Sequence, residues 1–282
     1  MKDLIEYINE GLLKGQADTL ASGESDISSI YVEDFLNSIY LCPAGEDKIP
    51  MTISDKTNSK GQYEVVIHTS INLRDRWTTP DRKVPESLTN GKFIIKKVEG
   101  DFRIPYLNSE SLEGCPEEVT GNCLLGNIGY WGHITTLKGA PKKVGGMFKI
   151  VSWHLESLEY LPKIGKGFIC DTNNLKSLKG CPKHIKGDFK VISQYITDLE
   201  HGPDKVDGNY TCSNCGSLRS LKGCPKHIKG NFNCSWNRNL TTLEGCPEKV
   251  DGDFIKGECG KKFLKKSIEK ICTVKGEIKS LN

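Results

Sequence analysis

Apolar residues recur in fixed columns along the second two thirds of the chain. Val98, Val119, Val144, Ile164, Ile185, Val206, Ile228 and Val250 head successive units, and the steps between them run from 20 to 25 residues. Four positions after each head stand Phe102, Cys123, Phe148, Phe168, Phe189, Tyr210, Phe232 and Phe254. Six positions after it stand Ile104, Leu125, Ile150, Cys170, Val191, Cys212, Cys234 and then Lys256. A later column reads Leu112, Leu137, Leu158, Leu178, Leu199, Leu221 and Leu243. Positions four and six after the head alternate with a variable residue, the period of a short strand with one buried face. In the unit from Ile164, the turn-forming Asp171-Thr172-Asn173-Asn174 follows that strand, and Leu175 and Leu178 return inward from an irregular segment. Gly180-Cys181-Pro182 then turns the chain toward the next head, as do Gly114-Cys115-Pro116, Gly223-Cys224-Pro225, Gly245-Cys246-Pro247 and Gly139-Ala140-Pro141.

A unit this short cannot bury its apolar side alone, so about eight of them must stack into one continuous core. The pattern predicts an α/β chain built around a parallel β solenoid, one strand per coil on its sheet, over residues 93–256. The flanks read differently. Leu4, Ile5, Ile8 and Leu12 form an amphipathic helical stripe ending near Gly15, and a second helix is predicted from about Ser28 to Leu41. Pro50–Ile53 and Tyr63–Leu73 read as strands joined through Lys60-Gly61, and Arg74–Lys83 as a loop. Residues 1–92 are therefore expected to form a small α/β cap. At the other end Phe263, Leu264, Ile268 and Ile271 follow helical spacing among Lys261, Lys262, Lys265, Lys266 and Lys270, so residues 257–282 are expected to be a helical cap and tail.

The run Asn174-Leu175-Lys176-Ser177-Leu178, followed by Cys181-Pro182 and Ile185, resembles the short bacterial leucine-rich repeat with Phe and Cys at some leucine positions. The fuller pattern Leu-x-x-Leu-x-Gly-Cys/Ala-Pro-x-x-Val-x-Gly-x-Phe-x-Cys is similar to repeats in solenoid proteins encoded by bacteriophages. The opening Tyr7-Ile8-Asn9-Glu10-Gly11-Leu12-Leu13 resembles the start of such proteins. The resemblance covers residues 98–256. It implies a leucine-rich-repeat-like binding solenoid, no reaction, and a phage protein acting in the cytoplasm of the infected host.

Composition adjusts this picture in few places. The 282 residues carry a net charge of +3, and no stretch approaches the roughly 20 apolar residues of a membrane span. The first residues carry acids where a secretory leader needs bases, so a reducing compartment is expected. The twelve cysteines then need an explanation other than disulfides. They interchange with Ile, Leu and Val in the strand column, as buried small hydrophobes do. Cys212-Ser213-Asn214-Cys215 is a lone C-x-x-C without the second pair of a zinc site, and Cys212 belongs to the core column. His184 and His227 share a column with Glu118, Lys143, Lys163, Lys205 and Lys249, which reads as an exposed edge and no ligand set. No nucleophile elbow, phosphate loop or dinucleotide fingerprint occurs. No cofactor, metal or catalytic residue is expected.

What remains is surface. Arg103, Leu124, Lys149, Ile169, Lys190, Thr211, Asn233 and Ile255 alternate with the core columns and should face outward in a row, which is where solenoids bind. Loops leaving the strands add Tyr130, Trp131, Trp153, Tyr195 and Trp236, residue types enriched at binding hot spots. The expected function is protein binding without catalysis, with a host protein such as an anti-phage (CRISPR or other) effector as partner and a monomeric chain. Two alternatives remain open: a structural or receptor-binding part of the virion, and a nucleic-acid binder or groove blocker. For the latter, residues 1–60 hold 5 lysines against 11 acids, net −6, which leaves +9 on the remainder and gives the N-terminal part the charge to meet a basic partner.

Overall fold

The computed structural model describes residues 32–33, 36–37, 40–41, 48–73, 93–105, 109–126 and 133–281. The chain is a parallel β solenoid of the leucine-rich-repeat-like kind. Each coil contributes a two-residue strand on one side, such as Lys163–Ile164, then a corner, then a strand on a second side, such as Phe168–Asp171. An irregular segment carrying two leucines closes the loop. Among the described residues the second-side strands form a single sheet of 11 strands, and the two-residue strands form a sheet of five and, together with the longer Met51–Ile53, Tyr63–Ile67 and Phe93–Val98, a sheet of six. In the long sheet Phe148, Phe168, Phe189, Tyr210, Phe232 and Phe254 are direct neighbours from coil to coil. The register is therefore the one the apolar columns predict.

Burial follows those columns. The heads Val98, Val119, Val144, Ile185, Val206, Ile228 and Val250 are fully or almost fully buried, as are Cys123, Cys170, Cys212 and Cys234 in the strand columns. The rings form a continuous stack, with centroids 6.2 Å apart for Phe148 and Phe168 and 4.8 Å apart for Phe189 and Tyr210. Tilted contacts at this spacing contribute beyond the apolar area they bury. Tyr210 brings a buried hydroxyl into this stack that has no hydrogen-bond partner among the described residues. Where other coils hold a cysteine, Gly202 stands beside Tyr210, and a Cβ there would lie 3.9 Å from the phenolic oxygen.

Two glycine columns have separate causes. Gly114, Gly139, Gly180, Gly223 and Gly245, which open the turns before proline, all have φ between 79° and 97°, a region that only glycine enters without cost. Tyr160 and His201 occupy the same column with φ of 66° and 65°, so those two turns carry strain. The corner glycines are needed for close approach instead. A Cβ on Gly121, Gly208, Gly230 or Gly252 would stand 2.6–2.8 Å from the backbone of the corner glycine one coil before.

Next to the corner runs a ladder of polar side chains that periodicity alone did not reveal. Ser70 Oγ accepts from the Asp101 N–H, Asp101 Oδ1 from the Asn122 N–H, and Asn122 Oδ1 from the Met147 N–H. It resumes where Asp188 Oδ1 accepts from Asn209, Asn209 Oδ1 from Asn231, Asn231 Oδ1 from Asp253, and Asp253 Oδ1 from Glu277. The interruption falls at Met147 and Gly167, which have no side-chain acceptor. Lys166 fills the corner-glycine column in the same coil. There the side of the two-residue strands parts into its two sheets, between Lys163–Ile164 and His184–Ile185. A Cβ in a column packed for glycine and a missing ladder bond together account for the break.

Asn209 holds both directions of the ladder, since its Nδ2 also donates to Asp188 Oδ1 at 3.1 Å. Asn209→Ala is expected to cost about 1–2 kcal/mol, the range for leaving a part-buried donor unsatisfied. An unchanged urea midpoint would show that water replaces the ladder without loss.

Both ends differ from expectation in extent. Tyr63–Leu73 is two strands, Tyr63–Ile67 and Ile71–Leu73, which pair in parallel with Phe93–Val98 and Phe102–Ile104. The stack therefore begins before residue 93. Met51–Ile53 pairs antiparallel with Tyr63–Ile67 as the expected hairpin. Val32 and Leu36 are buried in helical positions, but Tyr40–Leu41, expected as the end of that helix, is a strand antiparallel to Ile71–Leu73. The stripe of Leu4 to Leu12 and the loop Arg74–Lys83 lie outside the described residues. At the far end the expected helical cap contains a helix of five residues, Lys265–Glu269. Strands Thr273–Val274 and Ile278–Ser280 follow it and extend both sides of the stack past residue 256. Phe263 and Ile268 are buried, but Leu264 and Ile271 are exposed, because the helix is too short for its stripe to continue.

Candidate binding surface

The outward row is real and in register. Asn72, Arg103, Leu124, Lys149, Ile169, Lys190, Thr211, Asn233, Ile255 and Lys279 are successive cross-strand partners. From Leu124 to Ile255 these side chains are half-buried, not freely exposed as an isolated strand would leave them. Neighbours about 4.8 Å apart along the row lie against one another. Arg103 alone among the eight predicted positions is exposed.

Next to this row lies a second outward row, Val151, Asp171 and Ile192. Asp171 was grouped with the turn in the sequence, but it is the last residue of its strand. Burial raises its carboxyl above the usual range, and Lys190 and Lys149 oppose that rise. The centre of the long sheet thus presents Ile169 and Ile192 beside a half-buried carboxylate and two ammonium groups. Lys149 and Lys190 make no ion pair among the described residues.

The loops leaving the strands place three predicted aromatics at the surface. Trp153 is 43 % exposed, Tyr195 54 % and Trp236 41 %. Buried hydroxyls just before them fix the backbone from which they project. Ser152 Oγ donates to the Ile134 carbonyl at 2.7 Å, and Ser193 Oγ to the Leu175 carbonyl at 2.6 Å. At Trp236 the anchoring is different. Asn237, fully buried, donates from Nδ2 to the Cys212 and Cys234 carbonyls and accepts the Cys215 N–H, all at 2.8 Å. Trp236 itself has φ of 61°, a strained conformation for a bulky residue. Tyr130 and Trp131 lie outside the described residues. Tyr160, 57 % exposed, was missed, although its place in the glycine column marked it as a residue in an unusual conformation.

The two-residue-strand side is different in kind, because most of its charges bond to one another across coils. Lys143 pairs with Glu118 at 2.8 Å, Lys226 with Glu248 at 2.7 Å, and Lys96 with Glu117 at 2.9 Å. His184 and His227, expected as a variable edge, repeat one arrangement: His184 Nε2 meets Asp207 at 2.7 Å and His227 Nε2 meets Asp251 at 2.7 Å. Lys229 and Lys275 complete the two clusters at 2.6 and 2.8 Å. Hydrogen bonds from Lys229 and then His184 hold the Asp207 carboxyl down to about 2.

A carboxyl lowered by folding contributes stability above its unfolded value of about 3.9 and loses it as pH falls through the folded one. Asp207→Asn is therefore expected to flatten the loss of thermal midpoint between about pH 4 and pH 2. An acid limb as steep as that of the unsubstituted chain would count against the assignment.

Among the described residues no group of three or more His, Cys, Asp or Glu side chains is arranged to hold an ion. Cys212 and Cys215 are fully buried, and burial pushes the Cys215 thiol up to about 12. None of the described helices is long and apolar enough to cross a membrane. No protein-family model, curated protein or solved structure matches the chain.

Proposed function

We propose that this chain is a non-enzymatic protein-binding solenoid that meets its partner with the outward face of the long sheet and the adjoining loops. The observation that carries the reading is the contrast between its two sides. Most charges on the two-residue-strand side pair with one another across coils, whereas the long sheet presents Lys149 and Lys190 with no ion pair among the described residues, beside half-buried Ile169 and Ile192. Exposed Trp153, Tyr195 and Trp236 stand on the loops that leave this sheet. Aromatic anchors next to apolar and charged surface are the composition of a protein interface. A phosphate-binding groove would instead be a basic stripe, and the long sheet mixes Lys149 and Lys190 with Asp171.

The resemblance of the repeat to phage-encoded solenoids supports a bacterial host protein as the partner, an anti-phage effector such as a CRISPR component being the natural class, and the host cytoplasm as the place of action. The test is capture from bacterial lysate with the immobilised full chain, read by mass spectrometry against a variant altered only on the long-sheet face. A partner retained by both would remove the face from the reading. Capture of nucleic acid in its place would favour the groove-blocking alternative.

A further inference from the structure

The charge of the solenoid is gathered in its central coils. Residues 142–192, which carry the heads Val144, Ile164 and Ile185, hold 10 lysines against 4 acids, net +6. Residues 93–141 carry net −2 and residues 193–256 net 0. Three of the central lysines are taken up by neighbouring coils, Lys142 by Glu117, Lys143 by Glu118 and Lys183 by Asp204. Lys149, Lys163, Lys166, Lys186 and Lys190 form no ion pair among the described residues. They make a girdle round the corner of the coil. Lys163 stands on its two-residue strand, Lys166 and Lys186 at the corner, and Lys190 and Lys149 on the long sheet to either side of Ile169.

Lys166 shows what this arrangement costs. The coils before and after it hold Gly146 and Gly187 in the same column. The Lys166 N–H donates to the Gly146 carbonyl at 3.0 Å, and the Gly187 N–H donates to the Lys166 carbonyl at 3.1 Å. The backbone thus keeps the course of the glycines, and an exposed lysine side chain is added to it. Lys163–Ile164 and His184–Ile185 lose their pairing at this coil. A packing rule broken where unpaired charge is densest is the mark of a functional site.

The chemistry of the girdle selects the kind of ligand. Residues 142–192 contain no arginine, the side chain that grips phosphate at two points. Ammonium groups are point charges that suit single carboxylates. Lys149 and Lys190 lie roughly 10 Å apart, two strand spacings, with half-buried Ile169 midway. A phosphate backbone crossing here would meet the carboxylate of Asp171, whereas a protein segment can set an apolar side chain on Ile169 and Ile192 and its acids to either side.

We propose that the girdle is the docking site for an acidic segment of the partner protein, an apolar residue flanked by carboxylates, which runs from the long sheet round the corner to Lys163. This inference rests on the binding reading and extends its surface beyond the long sheet. The charge complementarity acts on encounter rate and on the choice of partner, and it weakens with salt.

The test measures fluorescence anisotropy of a labelled peptide of repeated Glu-Glu-Leu-Glu with the full chain at low salt. Replacing Lys163, Lys166 and Lys186 together by glutamine is expected to weaken the peptide by about tenfold or more, the loss of three modest surface ion pairs. The same replacement at Lys261, Lys262 and Lys266 removes equal charge elsewhere and is expected to change little. A peptide with glycine for leucine is expected to bind more weakly to the unsubstituted chain. Equal binding by the girdle variant and the unsubstituted chain, equal losses in both variants, or indifference to the leucine overturns the proposal. So does tighter binding of a DNA duplex than of the peptide, which would assign the girdle to nucleic acid. Lysate capture with the variant altered only on the long sheet leaves these three lysines in place, so the girdle can fail while the earlier reading stands.

Discussion

Phe189→Ala is expected to destabilise the chain by about 3–5 kcal/mol, and Lys190→Ala, one residue along the same strand, by about 0.5 kcal/mol or less. Phe189 lies between two rings, with centroids 6.0 Å from Phe168 and 4.8 Å from Tyr210, and is fully buried. Neither neighbour can move into the space, because each is held by the ring on its far side, Phe148 behind Phe168 and Phe232 behind Tyr210. The loss is therefore the removed ring together with an uncollapsed cavity. Lys190 points the other way, with its stem against Ile169 and Thr211, and loses only that contact. The break on the side of the two-residue strands falls between Lys163–Ile164 and His184–Ile185, just before Phe189, so urea melts should also report whether the two halves separate. A biphasic transition in Phe189→Ala would mark the coil of Lys166 as the weak joint. Equal losses for the two variants would mean that the strand is one residue out of register.

The repeat columns made the core of this protein readable because every coil solves the same packing problem with the same residue types. Phe102 through Phe254, the heads from Val98 to Val250 and the buried cysteines are all where period two and the repeat length place them. The polar ladder was not legible in the same way. Ser70, Asp101, Asn122, Asp188, Asn209, Asn231 and Asp253 do not share one residue type, and their common property is a side-chain oxygen that accepts a backbone N–H one coil away. Once the column is drawn, the acceptor at nearly every position, with Met147 and Gly167 as the exceptions, is the signal. Asp171 was misread for a related reason. Composition assigns Asp-Thr-Asn-Asn to a turn, yet the ladder of cross-strand bonds carries the strand one residue further, through Asp171 to Ile192. The ends failed where the repeat length itself changed. The step from Val250 to Val274 is 24 residues and includes the Lys265–Glu269 helix, so apolar spacing there imitates a cap.

Reversing charge at Lys149 and Lys190 together with Trp153→Ala is expected to abolish partner binding while moving the thermal midpoint little. Lys149 and Lys190 flank Ile169 along one row, so both changes fall within about two strand spacings of the centre of the sheet. Trp153 stands on the loop that leaves the Lys149 strand, one residue after the anchoring Ser152. Loss of an anchor of 2 kcal/mol or more weakens binding at least about thirtyfold. Two reversed charges on the same patch add repulsion to an acidic partner surface. Folding is spared because none of the three side chains lies in the stacked core and the lysines form no ion pairs among the described residues. Asp171 sets the limit on that neutrality. Glutamates at 149 and 190 would replace the two charges that oppose its raised carboxyl with like charges, so Lys149→Gln with Lys190→Gln is the milder control. Binding lost in the charge-reversed variant and in the glutamine control, with both melting normally, assigns the partner to the long sheet. Binding retained by all of them, with residues 1–90 sufficient on their own, would move the function to the N-terminal part and leave the solenoid as its scaffold.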